Sequence, residues 1–201
     1  MSVDNSTSTR QPQGRVRWRR FAIVAVPAVA VAGVLVGLTA EGAIASSFSV
    51  SGTEYTVKAS ELDGSGFVQF ANELPQTGNP NPLPVIESGI TSAQLTNLCQ
   101  SVSVGPITIR LTAGNVGTPV QANNLIVDAS SQTGSEADFT NIVIGQDATT
   151  LTGGPATGPQ AGAFGEQAQS VVIKNLDQNT WLTSAGTFDL PNLGLGFGSA
   201  C

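Results

Sequence analysis

An uncharged run from Phe21 to Ala40, set behind Arg10, Arg15, Arg17, Arg19 and Arg20, constrains this chain more than any other stretch. The arginines make residues 1–20 a basic n-region that stays on the cytoplasmic side, and the run is the apolar core of an export signal. About 20 apolar residues also suffice to span a bilayer as a helix, at about 1.5 Å per residue. An N-terminal hydrophobic helix is therefore expected over residues 21–45, as a signal peptide or as a retained signal anchor. Ala43 and Ala45 form the small-x-small pattern of a signal cleavage site, which favours cleavage after Ala45. Arg19-Arg20 lacks the polar residue that precedes a twin-arginine signal, so a general secretory route is expected. Residues 46–201 then form a single exported domain, secreted or held at the outer face of the cytoplasmic membrane or cell envelope.

From Ser46 onward three basic residues, Lys58, Arg110 and Lys174, stand against twelve acidic ones, a net charge of −9. With no positive stripe to neutralise phosphates, nucleic acid is not expected as a partner, and anionic lipid headgroups are poor partners too. Cys99 and Cys201 are the two cysteines of the chain. Both lie in the exported part, where a pair of thiols normally bonds, so a disulfide between them is expected.

The fold class read from the exported part is all-β: an antiparallel β-sandwich or a curved, taco-like sheet. Ile107-Thr108-Ile109-Arg110-Leu111 alternates apolar and polar residues, and further short strands read at segments such as Asn124 to Asp128, Phe139 to Ile144 and Ser170 to Leu176. Asn72 to Pro84 carries four prolines and Gly153 to Gly165 is rich in Gly and Pro, so both read as loops. At most a turn or two of helix is expected, around Ala161 to Ala168. The apolar set expected inside includes Val57, Phe67, Leu95, Leu98, Leu125, Val127, Val171, Ile173 and Leu176, together with Ile107, Ile109, Ile144, Leu193 and Leu195. An asparagine also recurs in an apolar frame at Asn97, Asn124, Asn141, Asn175 and Asn192, and from Asn124 the steps are 17, 34 and 17 residues. Such spacing suits either stacked strand units or the ordinary preference of Asn for turns.

The chain contains no histidine, which removes Ser-His-Asp and Cys-His catalysis and the commonest zinc and haem ligands. It also lacks a Gly-x-Ser-x-Gly elbow. Lys58 and Lys174 read as solvated strand lysines. The acidic neighbours Glu61/Asp63 and Glu136/Asp138 read as solvated turn residues, and the acidic residues of the domain are mostly expected in Gly- and Ser-rich turns where water keeps them ionised. Leu74-Pro75-Gln76-Thr77-Gly78 matches a sortase motif but lacks the apolar segment and basic tail such a signal needs, and reads as a turn. No catalytic residue, no metal ligand and no cofactor is expected.

The blocks ASSFSVSGTEYTVKASELDGSGFVQF, GITSAQLTNLCQSV, ANNLIVDASSQTGSEADFTNIVIGQDA, GAFGEQAQSVVIKNL and SAGTFDLPNLGL resemble an uncharacterised actinobacterial family of exported proteins, a domain of unknown function. The resemblance covers nearly all of the chain after Ala45. Members of that family often bear the label cholesterol esterase, and their genes tend to neighbour a small multi-pass membrane protein. The resemblance thus implies a membrane-protein partner or self-association at the envelope, and a lipid as ligand. Residues and resemblance together suggest a non-enzymatic structural or interaction domain. The alternative is a binding module holding a lipid or sterol in a curved groove, and third comes a lipid esterase.

Overall fold

The computed structural model describes residues 52–201; the n-region, the hydrophobic segment, Ala43 and Ala45 lie outside the described residues. The described part is all-β and antiparallel. Its strands are far longer than the short segments legible in the sequence. β1 (Tyr55–Gln76) turns at Thr77-Gly78 into β2 (Asn79–Thr96), which continues past Asn97 as β3 (Leu98–Val104). The β1 register is the same on both sides of that break, since Glu61 faces Thr96 and Lys58 faces Cys99. β4 (Ile107–Ala113) folds back on β3. A second long hairpin follows. β5 (Val120–Thr133), β6 (Glu136–Thr140) and β7 (Val143–Asp147) run out, a 3-10 turn (Ala148–Thr150) and a loop follow, and β8 (Phe164–Ser184) with β9 (Thr187–Asp189) runs back. β10 (Gly194–Phe197) then pairs with β4.

The two hairpins close on each other. β1 pairs with β8 and β2 pairs with β5, so the ladders β1–β2, β2–β5, β5–β8 and β8–β1 make a ring. The ring is strongly sheared: Tyr55 faces Thr180, Ala129 faces Thr180, Ile86 faces Ala129, and Ala71 faces Ile86. Four steps sideways return to β1 at Ala71, not at Tyr55. The sheet therefore winds as a closed spiral around one apolar core that includes Val57, Leu62, Phe67, Leu95, Leu98, Leu125, Val171, Ile173 and Leu176.

The recurring asparagines are the creases of this spiral. Asn97, Asn124, Asn141, Asn175 and Asn192 are the non-glycine residues at positive φ among the described residues, between 49 and 56°. Asn tolerates this left-handed conformation better than other side chains do. The ladders skip a residue at the same level on adjacent strands. One row runs from Asn141 through Gln169, Gly66 and Thr91 to Asn124. A second runs from Ser135 through Asn175 and Ser60 to Asn97 and continues toward Gly114 and Asn192. The crease side chains bond sideways: Asn97 Nδ2 donates to Ser60 Oγ (3.1 Å), Asn141 Nδ2 to Gln169 Oε1 (2.8 Å) and Asn175 Nδ2 to Ser135 Oγ (2.9 Å). Asn124 and Asn141 lie on one continuous outgoing strand, so their 17-residue step is the strand length used by one circuit of the ring. The step from Asn175 to Asn192 has the same origin, and the 34-residue step only joins one row to the other. The pattern reflects ring closure and not stacked repeat units.

Several expectations need correction. The proline-rich stretch is strand: Pro80, Pro82 and Pro84 lie in β2, before its pairing with β5 begins at Ile86. A proline lacks only a donor that such a free edge does not use. Residues 164–168 open β8, and the one helical turn among the described residues is Ala148–Thr150, not Ala161 to Ala168. The Leu74–Gly78 motif is a hairpin end, with Leu74 buried and Gly78 at φ +78°. Ile107, Ile109, Ile144, Leu193 and Leu195 are exposed although they were expected inside.

Candidate functional site

Three places could carry chemistry or binding: the interior of the ring, a buried acidic pair, and the flap formed by β3, β4 and β10. The interior is full. The cavity lined by Val57, Phe67, Leu95, Leu125, Ile173 and Phe188 measures about 30 Å³. That is space for one or two waters, whereas a drug-sized ligand needs roughly 300–1,000 Å³.

The acidic pair escaped the sequence reading, which took the carboxylates to be solvated. Glu87 on β2 and Asp128 on β5 face each other in the ladder, 0% and 1% exposed. Glu87 accepts hydrogen bonds from Asn72 Nδ2 (2.7 Å), Thr157 N (2.6 Å) and Thr157 Oγ1 (2.5 Å). Thr157 belongs to the loop after β7, whose Pro155 carbonyl packs so closely on Gly89 that no Cβ would fit there. Neither oxygen of Asp128 has a donor in reach. Burial first, and then the Glu87 charge, pushes Asp128 up to about 7, and burial raises Glu87 too. A proton kept on Asp128 turns two facing acceptors into a donor and an acceptor, the arrangement that leaves least bare charge. The signal available in the sequence was an acid inside an apolar strand frame, Val85-Ile86-Glu87 and Val127-Asp128-Ala129. The interior cavity and the clefts on the flap are lined by neither carboxylate. The pair thus holds strands and loop together, buried from solvent among the described residues.

The residues singled out in the sequence lie apart from one another. Lys58 pairs with Asp177 at 2.9 Å and Lys174 with Glu136 at 2.7 Å, both partly exposed. Each lysine thus has a carboxylate partner and no serine nucleophile. Cys99, at the start of β3, and Cys201 form a disulfide with a Cα–Cα distance of 5.9 Å, and Cys201 N donates to Ser101 Oγ at 3.0 Å. The bond fastens the end of the chain across the flap.

The flap is the unusual surface. Val104, Ile107, Ile109, Leu195 and Phe197 are 42 to 82% exposed. Val102, Ile109 and Phe197 align across β3, β4 and β10, and Leu111 and Leu195 pair beside them. An open cleft of about 300 Å³ lies between Tyr55, Val102, Ile109, Leu111, Trp181 and Leu195. An apolar face of this kind marks an interaction site more often than a catalytic one.

Fold and surface define a closed antiparallel β domain with a filled core and an apolar flap. Residues 51–201 match the model of a family of unknown function (DUF6230), and the chain belongs to that family. No curated protein and no solved structure matches.

Proposed function

We propose that this domain is an exported, non-enzymatic interaction module of the cell envelope, working through the apolar face of its flap. The observation that carries the reading is the alignment of exposed Val104, Ile107, Ile109, Leu195 and Phe197 on three paired strands. Such surface costs free energy in water unless a partner covers it, at roughly 25 cal/mol per Å². Esterase chemistry has little support. Without histidine a serine needs another base, and general acid–base help is worth about 100- to 10,000-fold. Asp128, whose carboxyl is pushed up to about 7 by burial and the Glu87 charge, is sealed from solvent.

The cleft beside Tyr55 and Trp181 favours a second reading, in which a lipid acyl chain lies along the flap and not inside the ring. Native mass spectrometry of protein from its own host separates the two, because a ligand carrier retains lipid mass and a docking face does not.

The first test is enzymatic and topological together. Purified protein should hydrolyse sterol and p-nitrophenyl esters no faster than buffer, and protease added to intact cells should degrade the domain. Saturable turnover abolished by a single serine substitution would restore the esterase reading. Protection until lysis would end the export reading.

A further inference from the structure

We infer that the flap docks on the bilayer itself, the tip of the β3–β4 hairpin and the adjacent β10 entering the headgroup–acyl boundary. The inference deepens the proposed function and rests on its export reading.

Three observations converge on it. The apolar exposure concentrates at one end of the flap: Val104 and Ile107 flank the Gly105-Pro106 turn, and Phe197 shares a cleft with Pro106 and Ile107. This is a compact apolar tip, of the kind that can enter an interface without exposing strand edges deep in hydrocarbon.

Charge distribution points the same way. The domain after Ser46 carries a net −9, which anionic headgroups would repel. Yet residues 88–127 contain no Asp or Glu, nor do residues 190–201, so β3, β4 and β10 are free of acids. Their one charge is Arg110, which pairs in the ladder with Ser101 and Gly196 and lines a cleft with Phe197. A lone arginine on the opposite face of β4 from Ile109 and Leu111, beside Phe197, suits a phosphate-rich boundary where its head meets phosphates.

The third observation is where the chain enters. Thr53 lines the same cleft as Ile109, Leu111 and Leu195. Residues 41–52 separate it from the apolar run that ends at Ala40, a reach of at most ~43 Å when fully extended. A domain tethered that closely, or delivered there before cleavage, meets the membrane with this face within reach.

The test is photolabelling of the protein isolated from its own envelope and reconstituted in phosphatidylglycerol–phosphatidylcholine vesicles doped with a diazirine acyl-chain lipid. Peptide mapping should place label on Val104 to Leu111 and Leu195 to Phe197. It should leave Val143 and Ile144, which are apolar and exposed on β7, at least five-fold less labelled. The Ile107→Ser/Phe197→Ser variant should lose most flap label while keeping its Cys99–Cys201 bond and its circular dichroism. Equal labelling of flap and β7, label restricted to residues 21–40, or flap-to-flap crosslinks between copies would each overturn the inference. None of these outcomes bears on ester turnover or on protease access in cells, so the two readings fail separately.

Discussion

A carboxylate that loses its water must find donors or keep its proton, and Asp128 does the second. The folded state then binds that proton more tightly than the unfolded chain, whose Asp titrates near 3.8, while the folded value is about 7. Stability from this group is full below the unfolded value and is lost as pH rises from about 4 to about 7. Glu87 is raised in the same sense. Glu136 and Asp147 are lowered, the first by Lys174 and the second by hydrogen bonds from Thr149 and Gly162, so their contributions disappear only in stronger acid. The urea midpoint should therefore be higher at pH 5 than at pH 8, by an amount corresponding to about 3 kcal/mol from Asp128. Asp128→Asn should remove most of that slope and stabilise the protein at pH 8. A variant with the parent's slope would place the proton elsewhere.

At the scale of the element, the strands owe their length to creases that keep the core face turned inward. Buried positions in β1 step through Val57, Ala59, Leu62, Gly64 and Phe67, and in β8 through Ala168, Val171, Ile173, Leu176 and Gln178. The intervals alternate between two and three residues, and the longer one falls at a crease. Strict alternation searches for period two and loses phase at every crease, which is why the sequence shows only fragments of strand. The left-handed backbone at Asn175 makes a sharp prediction. Asn175→Ala should cost about 1–2 kcal/mol, the usual penalty for an L side chain there, while Asn175→Gly should cost less despite losing the bond to Ser135. Urea unfolding of both variants decides it, and equal losses would mean that the side-chain bond, not the backbone, sets the value.

The molecule as a whole is held by pairings between residues far apart in sequence, β1 with β8 and β2 with β5, and by the disulfide. Cys99 and Cys201 are 102 residues apart, so the bond restricts the unfolded chain strongly, by about 4.7 kcal/mol for a loop of ~100 residues in the chain-entropy model. A Cys99→Ser/Cys201→Ser variant should lose a few kcal/mol. Its earliest exchanging amides should be those of β4 and β10, because β10 pairs with β4 alone and ends beside the bond. Uniform loss of protection across β1, β2, β5 and β8 would show that the bond closes the ring and not just the flap.

Composition and local pattern were enough for the all-β class, for the pairing of two lone cysteines and for most of the core, because those depend on residue type and on neighbours a few positions away. The sequence also displayed the five crease asparagines, without saying why they recur. What depended on closure was decided only by the tertiary structure. Glu87 and Asp128 are distant in the chain and meet because β2 and β5 pair. Ile107, Ile109 and Leu195 alternate like any buried strand and are exposed because no second layer among the described residues covers the flap. Burial is a property of what packs against a strand, and a strand's own residues do not encode whether anything will.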